Sequence, residues 1–196
     1  MSEKPIIFSG EMVNAILGGR KTQTRRLVKN LGVWVDGCMS MAKPEFNDFG
    51  DEAWIWPDGT TVNCPYGVIG DALWVRETWA PDMLIRRGTK PTPDMGVIWK
   101  ASDDILPNQH RFGGRWNPPI FMPHWASRLT LRITDVRAER LQDISEEDAM
   151  AEGIPNRPRE EGPVGEYADL WDSINAKRAP WKSNPLVWVL TFEVAK

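Results

Sequence analysis

Hydrophobic and polar positions alternate most cleanly between Ser127 and Asp135. Leu129, Leu131 and Ile133 fall on one face, and Arg128, Thr130, Arg132 and Thr134 on the other. A period of two predicts a half-buried strand, which Val136 to Leu141 continues beyond a bend. Val187 to Val194 predicts a closing strand, with Val187, Val189, Thr191 and Glu193 opposite Trp188, Leu190, Phe192 and Val194. Shorter apolar runs predict strands at Lys4 to Phe8, Ala72 to Trp79 and Val97 to Lys100. Helical spacing appears first at Gly10 to Leu17, where Met12, Val13, Ile16 and Leu17 form an expected buried stripe behind Ser9 as N-cap. Gly18 and Gly19 end that helix, because glycine accepts the left-handed conformation of a C-terminal cap. Ser145 caps a second helix, with Asp148 at its third position; it runs to about Glu152 and stops at Gly153. A third covers Glu166 to Asn175, with Leu170, Trp171 and Ile174 expected inward.

Residues 30 to 66 read as an insertion. Trp54 to Trp56 and Thr60 to Val62 flank Pro57-Asp58-Gly59, a hairpin signal, and the stretch from Asp36 to Asp51 reads as loop. Pro81 to Pro93 and Asp103 to Pro119 also read as loops, and the polar, Pro/Gly-rich stretch from Arg157 to Gly165 is expected to be mobile. The chain shows no internal repeat and no low-complexity tract. Several strands with a few short helices predict one domain over residues 1–196, an α+β fold or small β-barrel.

Composition narrows the function classes. The chain has 196 residues, 41% hydrophobic and 26% charged, which suits a globular domain with its own core. Its net charge of −3 argues against wholesale binding to a nucleic-acid backbone. Eleven Trp supply large apolar faces for a core or for flat rings. Cys38 and Cys64 are the two cysteines, and His110 and His124 the two histidines. No pair has zinc-ligand spacing, so no metal is expected. No apolar run has the length of a membrane span and no signal-peptide pattern opens the chain, so a soluble, cytoplasmic protein without membrane contact is expected.

Against this background Gly19-Arg-Lys-Thr-Gln-Thr-Arg-Arg26 stands out. Lys21 precedes Thr24 by three residues. A lysine beside a hydroxyl is a candidate base and nucleophile, because a hydroxyl attacks well at neutral pH only when a base takes its proton. The plainer reading is a solvated basic turn. On a strand the two side chains would point to opposite faces; in a turn beyond the helix they converge.

These pieces, in this order, resemble the ASCH family of PUA-like β-barrels. The signature Gly-x-Lys-x-x-(Glu or Thr)-x-Arg falls on Gly19, Lys21, Thr24 and Arg26. Gly70-Asp71 before an apolar strand, and the Asp-Ile-Ser-Glu-Glu-Asp-Ala helix, also fit. The stretches Cys64 to Gly67, Leu73 to Trp79 and Met122 to Arg128 look like the longer ASCH proteins of phage and prophage genomes. A small bacterial member of the family hydrolyses N4-acetylcytidine with a Lys, a Thr and a Glu. The resemblance places these on Lys21, Thr24 and, through the helix that ends before Gly153, on Glu152.

The resemblance thus implies an amidohydrolase that needs no cofactor and acts on a small acylated nucleoside. Thr24 would be the nucleophile, Lys21 the base, and Glu152 a proton carrier or the holder of protonated Lys21. A neutral Lys21 near pH 7 needs its pKa lowered by about three units from its reference near 10.4. Burial and the cations Arg20, Arg25 and Arg26 act in that direction, and Glu152 opposes. Arg26 is placed as an oxyanion donor beside the backbone N–H groups of residues 22 to 25, or as a structural partner of Glu77. Trp79 is placed as a stacking surface for the base or as a core residue, with Arg26, Glu77 and Trp79 forming the candidate substrate-binding set. His124 is read as surface or core. The alternative is a non-catalytic module that binds RNA.

Overall fold

The computed structural model describes residues 2–29, 32–35, 38–41, 43–46, 52–55, 63–82, 90–105, 116–155 and 161–195. In chain order the strands are β1 (Glu3–Ile7), β2 (Gln23–Leu27), β3 (Gly32–Val35), β4 (Cys38–Met41), β5 (Lys43–Phe46), β6 (Glu52–Ile55), β7 (Ala72–Arg76), β8 (Trp79–Pro81), β9 (Val97–Trp99), β10 (Thr130–Arg140) and β11 (Leu186–Val194). The helices are α1 (Gly10–Leu17), α2 (Glu146–Ala151) and α3 (Gly162–Asn175).

Five strands pair in the order β1-β7-β10-β11-β2. β1 runs parallel to β7, and the other neighbours are antiparallel. β10 is the longest strand and carries the expected bend. Its register with β11 shifts between Ile133 and Asp135, the signature of a bulge that turns the strand. The small barrel expected from the resemblance is met only as mixed α/β structure around this sheet. The assigned pairs leave β1 and β2 as its two edges, so the ladder is open. A side chain links those edges: Arg26 on β2 donates from Nη2 to the carbonyl of Ile7 on β1 at 3.0 Å.

Two apolar clusters pack against the sheet. One cluster joins Val13 and Ile16 of α1 to Ile6, Leu73, Val75, Leu131, Ile133, Leu190 and Phe192 of the strands. A second joins Ala149 of α2 and Tyr167 and Trp171 of α3 to Val187 and Val189. β11 therefore packs against both layers, and its first five residues are all buried. Full burial of one such side chain is worth about 1.5–3 kcal/mol, so the alternation of β11 does not mark a wet face.

Local signals held where a cap or a strong period specified them. Ser9 Oγ accepts from Met12 N at 3.3 Å and Ser145 Oγ from Asp148 N at 3.1 Å, which caps α1 and α2. Other expectations are corrected. Leu17 and Ile174 are exposed. The buried face of α1 is Val13, Ala15 and Ile16, and that of α3 is Pro163, Tyr167 and Trp171. α3 begins at Gly162, four residues before the expected start. The stretch read as loop from Asp36 to Asp51 contains β4 and β5, paired with β3 and β6. The hairpin turn at Pro57-Asp58-Gly59, residues 83–89 and 106–115 of the expected loops, and residues 157–160 lie outside the described residues.

Glu77 and Arg128 tie the end of β7 to the approach to β10. Arg128 donates from Nε to Glu77 Oε1 at 2.8 Å, from Nη2 to Oε2 at 3.0 Å and from Nη1 to Ser102 Oγ at 2.6 Å. Its guanidinium lies 4.8 Å from the Trp99 ring centre. This pair replaces the expected one between Arg26 and Glu77. Removing one partner of a buried bidentate pair leaves an uncompensated charge. Glu77→Ala is therefore expected to lower the unfolding free energy by about 3 kcal/mol, read as a lower urea midpoint with unchanged slope.

Candidate functional site

The site is built where the turns after α1 and α2 dock on each other. Gly19 adopts φ 69° beyond α1, and the backbone N–H groups of Arg20 and Lys21 both donate to the Ala15 carbonyl. This reverses the chain into β2. Thr22 N donates to Ala151 O at 2.8 Å, and Lys21 forms an antiparallel bridge with Glu152. Gly153 follows with φ 95°. A side chain there would meet the Cβ atoms of Ala15 and Lys21 at 3.2 Å, so glycine is required both by conformation and by close approach.

Lys21 is 2% exposed and Glu152 6%. Lys21 Nζ donates to Glu152 Oε2 at 2.6 Å and to the Glu152 carbonyl at 2.8 Å, and lies 5.7 Å from the Phe8 ring centre. Burial lowers the Lys21 pKa from its ordinary value; Glu152 opposes this, and Arg26 and Arg25 add to it. Glu152 Oε1 accepts from Arg25 Nη1 at 3.5 Å and from the Tyr167 hydroxyl at 3.4 Å. Burial first, and the Glu152 carboxylate second, push the Tyr167 phenol well above its ordinary value, so it stays a neutral donor.

The alternation of β2 separates two sets of side chains. Gln23 and Arg25 share one face, where Arg25 Nη1 donates to Gln23 Oε1 at 2.7 Å. Arg25 also donates from Nη2 to Glu139 Oε1 and Asp148 Oδ2, both at 2.7 Å. Burial opposes the Arg25 charge, but Glu152 and Glu139 outweigh it and hold the guanidinium above its ordinary pKa. Thr24 and Arg26 share the other face. Thr24 is 0% exposed, and its Oγ1 accepts from Arg26 Nη1 at 2.9 Å.

Position 24 thus lies on a strand, not in the expected turn. Lys21 and Glu152 come into contact; Lys21 and Thr24 share no hydrogen bond among the described residues. Arg26 covers Thr24 and lies 5.1 Å from the Phe8 ring centre. A cavity of about 440 Å³ opens beside them, within the usual range for small-molecule sites. Its inner wall includes Glu152, Arg25, Arg26 and Tyr167, and its flanks include Tyr66 and Trp171.

Two candidates are placed elsewhere. Glu77 is bound to Arg128, as described above. Trp79 is 2% exposed in a cluster with Met122 and Ala126 and packs edge-on against Trp125; neither lines the cavity. His124 is exposed, with Nε2 3.2 Å from Glu3 Oε2. Cys64 is a free thiol. The sequence reading missed Gln23, Glu139, Asp148 and Tyr167. Gln23 and Arg25 two apart on a strand was the available signal; the acids and the phenol come from distant elements and had none.

Among the described residues no group of His, Cys, Asp and Glu could hold a metal ion. Among them too, no helix is long and apolar enough to cross a membrane. No known protein family and no curated protein matches the chain. Among solved structures, the crystal structure of an ASCH domain from Lactobacillus crispatus JV V101 superposes with a TM-score of 0.44 at 11% identity. The match covers 98% of this chain and 79% of that one. Superposition at that level carries over neither fold nor activity.

Two outcomes follow from the buried pair. Glu152→Ala leaves Lys21 without its carboxylate and is expected to destabilise the fold by about 3–5 kcal/mol, with partial recovery in Lys21→Met/Glu152→Leu. Both are read from denaturant midpoints. Because the folded Lys21 pKa lies below its unfolded value of 10.5, its contribution to stability is fullest above pH 10.5. That contribution is lost as pH falls through the lowered pKa. Lys21→Met should flatten this part of the stability–pH curve.

Proposed function

We propose that the protein is an amidohydrolase that removes the N4-acyl group of an acylated cytidine. The observation that carries this reading is Glu152 on the inner wall of a ligand-sized cavity, with the buried Lys21 held on its carboxylate behind that wall. A lysine whose pKa burial lowers, next to a carboxylate, is a pair suited to moving protons. The sequence resemblance to ASCH proteins, with Lys21, Thr24 and Glu152 in the positions of that family's hydrolytic residues, supplies the substrate class.

In this scheme the ligand displaces the Arg26 guanidinium from Thr24 toward the acyl oxygen. There the guanidinium would stabilise the developing oxyanion by a charge-assisted hydrogen bond. Thr24 Oγ1 attacks the acyl carbon while its proton passes to neutral Lys21. The C–N4 bond breaks as a proton reaches N4 through Glu152, and the amine of cytidine leaves. Water then attacks the Thr24 ester, releasing the carboxylate and restoring the hydroxyl. Tyr167 and Arg25 hold Glu152 in place from its other oxygen. The net reaction consumes one water molecule.

Incubation with N4-acetylcytidine tests the reading. Wild type is expected to release cytidine, and Lys21→Ala and Thr24→Ala to lower kcat/KM by at least about 10²-fold. An acyl adduct on Thr24 should appear by mass spectrometry. Activity should rise with pH as Lys21 loses its proton, with a midpoint below 10.5. Wild-type protein that leaves the substrate intact but binds RNA in a salt-sensitive way would establish the binding-module alternative instead. Full activity in Thr24→Ala would replace the covalent step with direct attack by water.

A further inference from the structure

The cavity carries a charge pattern that the proposed hydrolysis does not use. Two of its lining residues, Lys29 and Arg178, are exposed cations, whereas Arg25 and Glu152 on the same wall are buried. Charge therefore marks the mouth as distinct from the inner end. The two cations reach that mouth from different elements. Lys29 follows β2, with Val28 N held on Leu186 O at 3.1 Å; Arg178 follows α3, with its N–H on Asn175 O at 2.8 Å.

Among the described residues neither side chain joins an ion pair or a hydrogen bond. The inner cations are occupied: Arg25 by Glu139, Asp148 and Glu152, and Arg26 by Thr24 and Ile7. Glu152 is the one carboxylate among the lining residues, and it is held by Lys21 and Arg25. A mouth with two unpaired cations and no acid departs from the composition of a chain with 27 acidic and 24 basic residues. The adjoining cavity of about 270 Å³ shows the opposite pattern, with Glu11 and Glu166 among its lining. Two cations converging on one opening repel unless an anion lies between them.

We infer that Lys29 and Arg178 form a phosphate subsite, and that the molecule processed at the inner end is a phosphate ester of an acylated nucleoside. This rests on the amidohydrolase reading for the chemistry, but not for the binding. Lys29 lies four residues beyond Arg25, a span of at most about 13 Å of chain. That span leaves room for a base and sugar between the buried pair and the mouth. Tyr66 and Trp171 flank the space with apolar ring surface. The base enters first, toward Glu152, and the phosphate stays where water reaches it. Arg178 offers a planar fork for phosphate oxygens, and Lys29 a point charge.

Turnover of N4-acetylcytidine, its 5′-monophosphate and a short oligoribonucleotide carrying one N4-acetylcytidine tests the subsite. A higher kcat/KM for a phosphorylated substrate than for the nucleoside is expected. Lys29→Ala and Arg178→Ala should each reduce that preference about fivefold, the size of a solvent-facing ion pair, and added salt should weaken it. Preference for the monophosphate identifies a free nucleotide as the source of the phosphate; preference for the oligonucleotide identifies RNA. Equal kcat/KM for all three, or a preference that survives Lys29→Ala/Arg178→Ala, overturns the subsite while leaving the amidohydrolase reading intact. Calorimetric binding of cytidine 5′-monophosphate, compared between wild type and the double variant, tests the subsite even if no substrate turns over. Binding that is equal in the two, or absent in both, overturns it.

Discussion

A lysine side chain that is almost wholly out of water must find a negative partner or give up its proton, and in this protein the partner is Glu152. The pair spans 131 positions of the chain. Satisfying it requires the turn after α1 to lie against the turn after α2, closely enough for backbone to pair with backbone at Lys21 and Glu152. Gly153 has no side chain in the way, and Gly19 bends the chain back from α1. An isolated charge at this depth would be several kcal/mol out of balance. The double contact of Nζ with both carboxylate and carbonyl removes that imbalance and fixes where α2 sits over the sheet.

Arg25 repeats the same logic four residues along the chain. It gathers Glu139 from β10, Asp148 and Glu152 from the α2 segment and Gln23 from its own strand. Arg137 adds a second contact to Asp148 at 2.9 Å. Three cations, Lys21, Arg25 and Arg137, and three acids thus share one corner, buried at Lys21, Arg25 and Glu152 and partly open at the rest, and the field there is uneven. Lys21 has a lowered pKa because burial dominates; Tyr167 has a raised one because burial and Glu152 act together. Groups whose proton affinities are moved by their surroundings, at the end of a cavity, are what proton-transfer chemistry needs. The ion-pair network is therefore both the fastening of β2 to the helices and the electrical environment of the candidate site.

Face assignment on β2 has a functional consequence. Because side chains alternate, Arg25 and Thr24 serve different layers. Arg25 fastens the α2–α3 side, and Thr24 is covered by Arg26, whose guanidinium lies over the Phe8 ring. Arg26 then joins the β2 edge to the β1 edge, where backbone pairing does not. One guanidinium thereby covers the candidate nucleophile, spans the open side of the sheet and lines the cavity.

The sequence by itself determined the elements whose signals are local. Ser9 and Ser145 name helix starts, Gly19 and Gly153 name helix ends, and the alternation of Leu129, Leu131 and Ile133 names the central strand. These follow from caps, φ preferences and period, which need no partner. It also singled out Lys21 and Thr24, and Glu152 through the resemblance. Tertiary structure alone decided which of these touch. Lys21 went to Glu152, through the bridge between the turns after α1 and α2, and Thr24 went to Arg26 on its own strand. Glu77 went to Arg128 and not to Arg26, and Tyr167 turned inward where Ile174 was expected. Charge pairing and helix rotation are set by what lies opposite across the chain, and no local period records that.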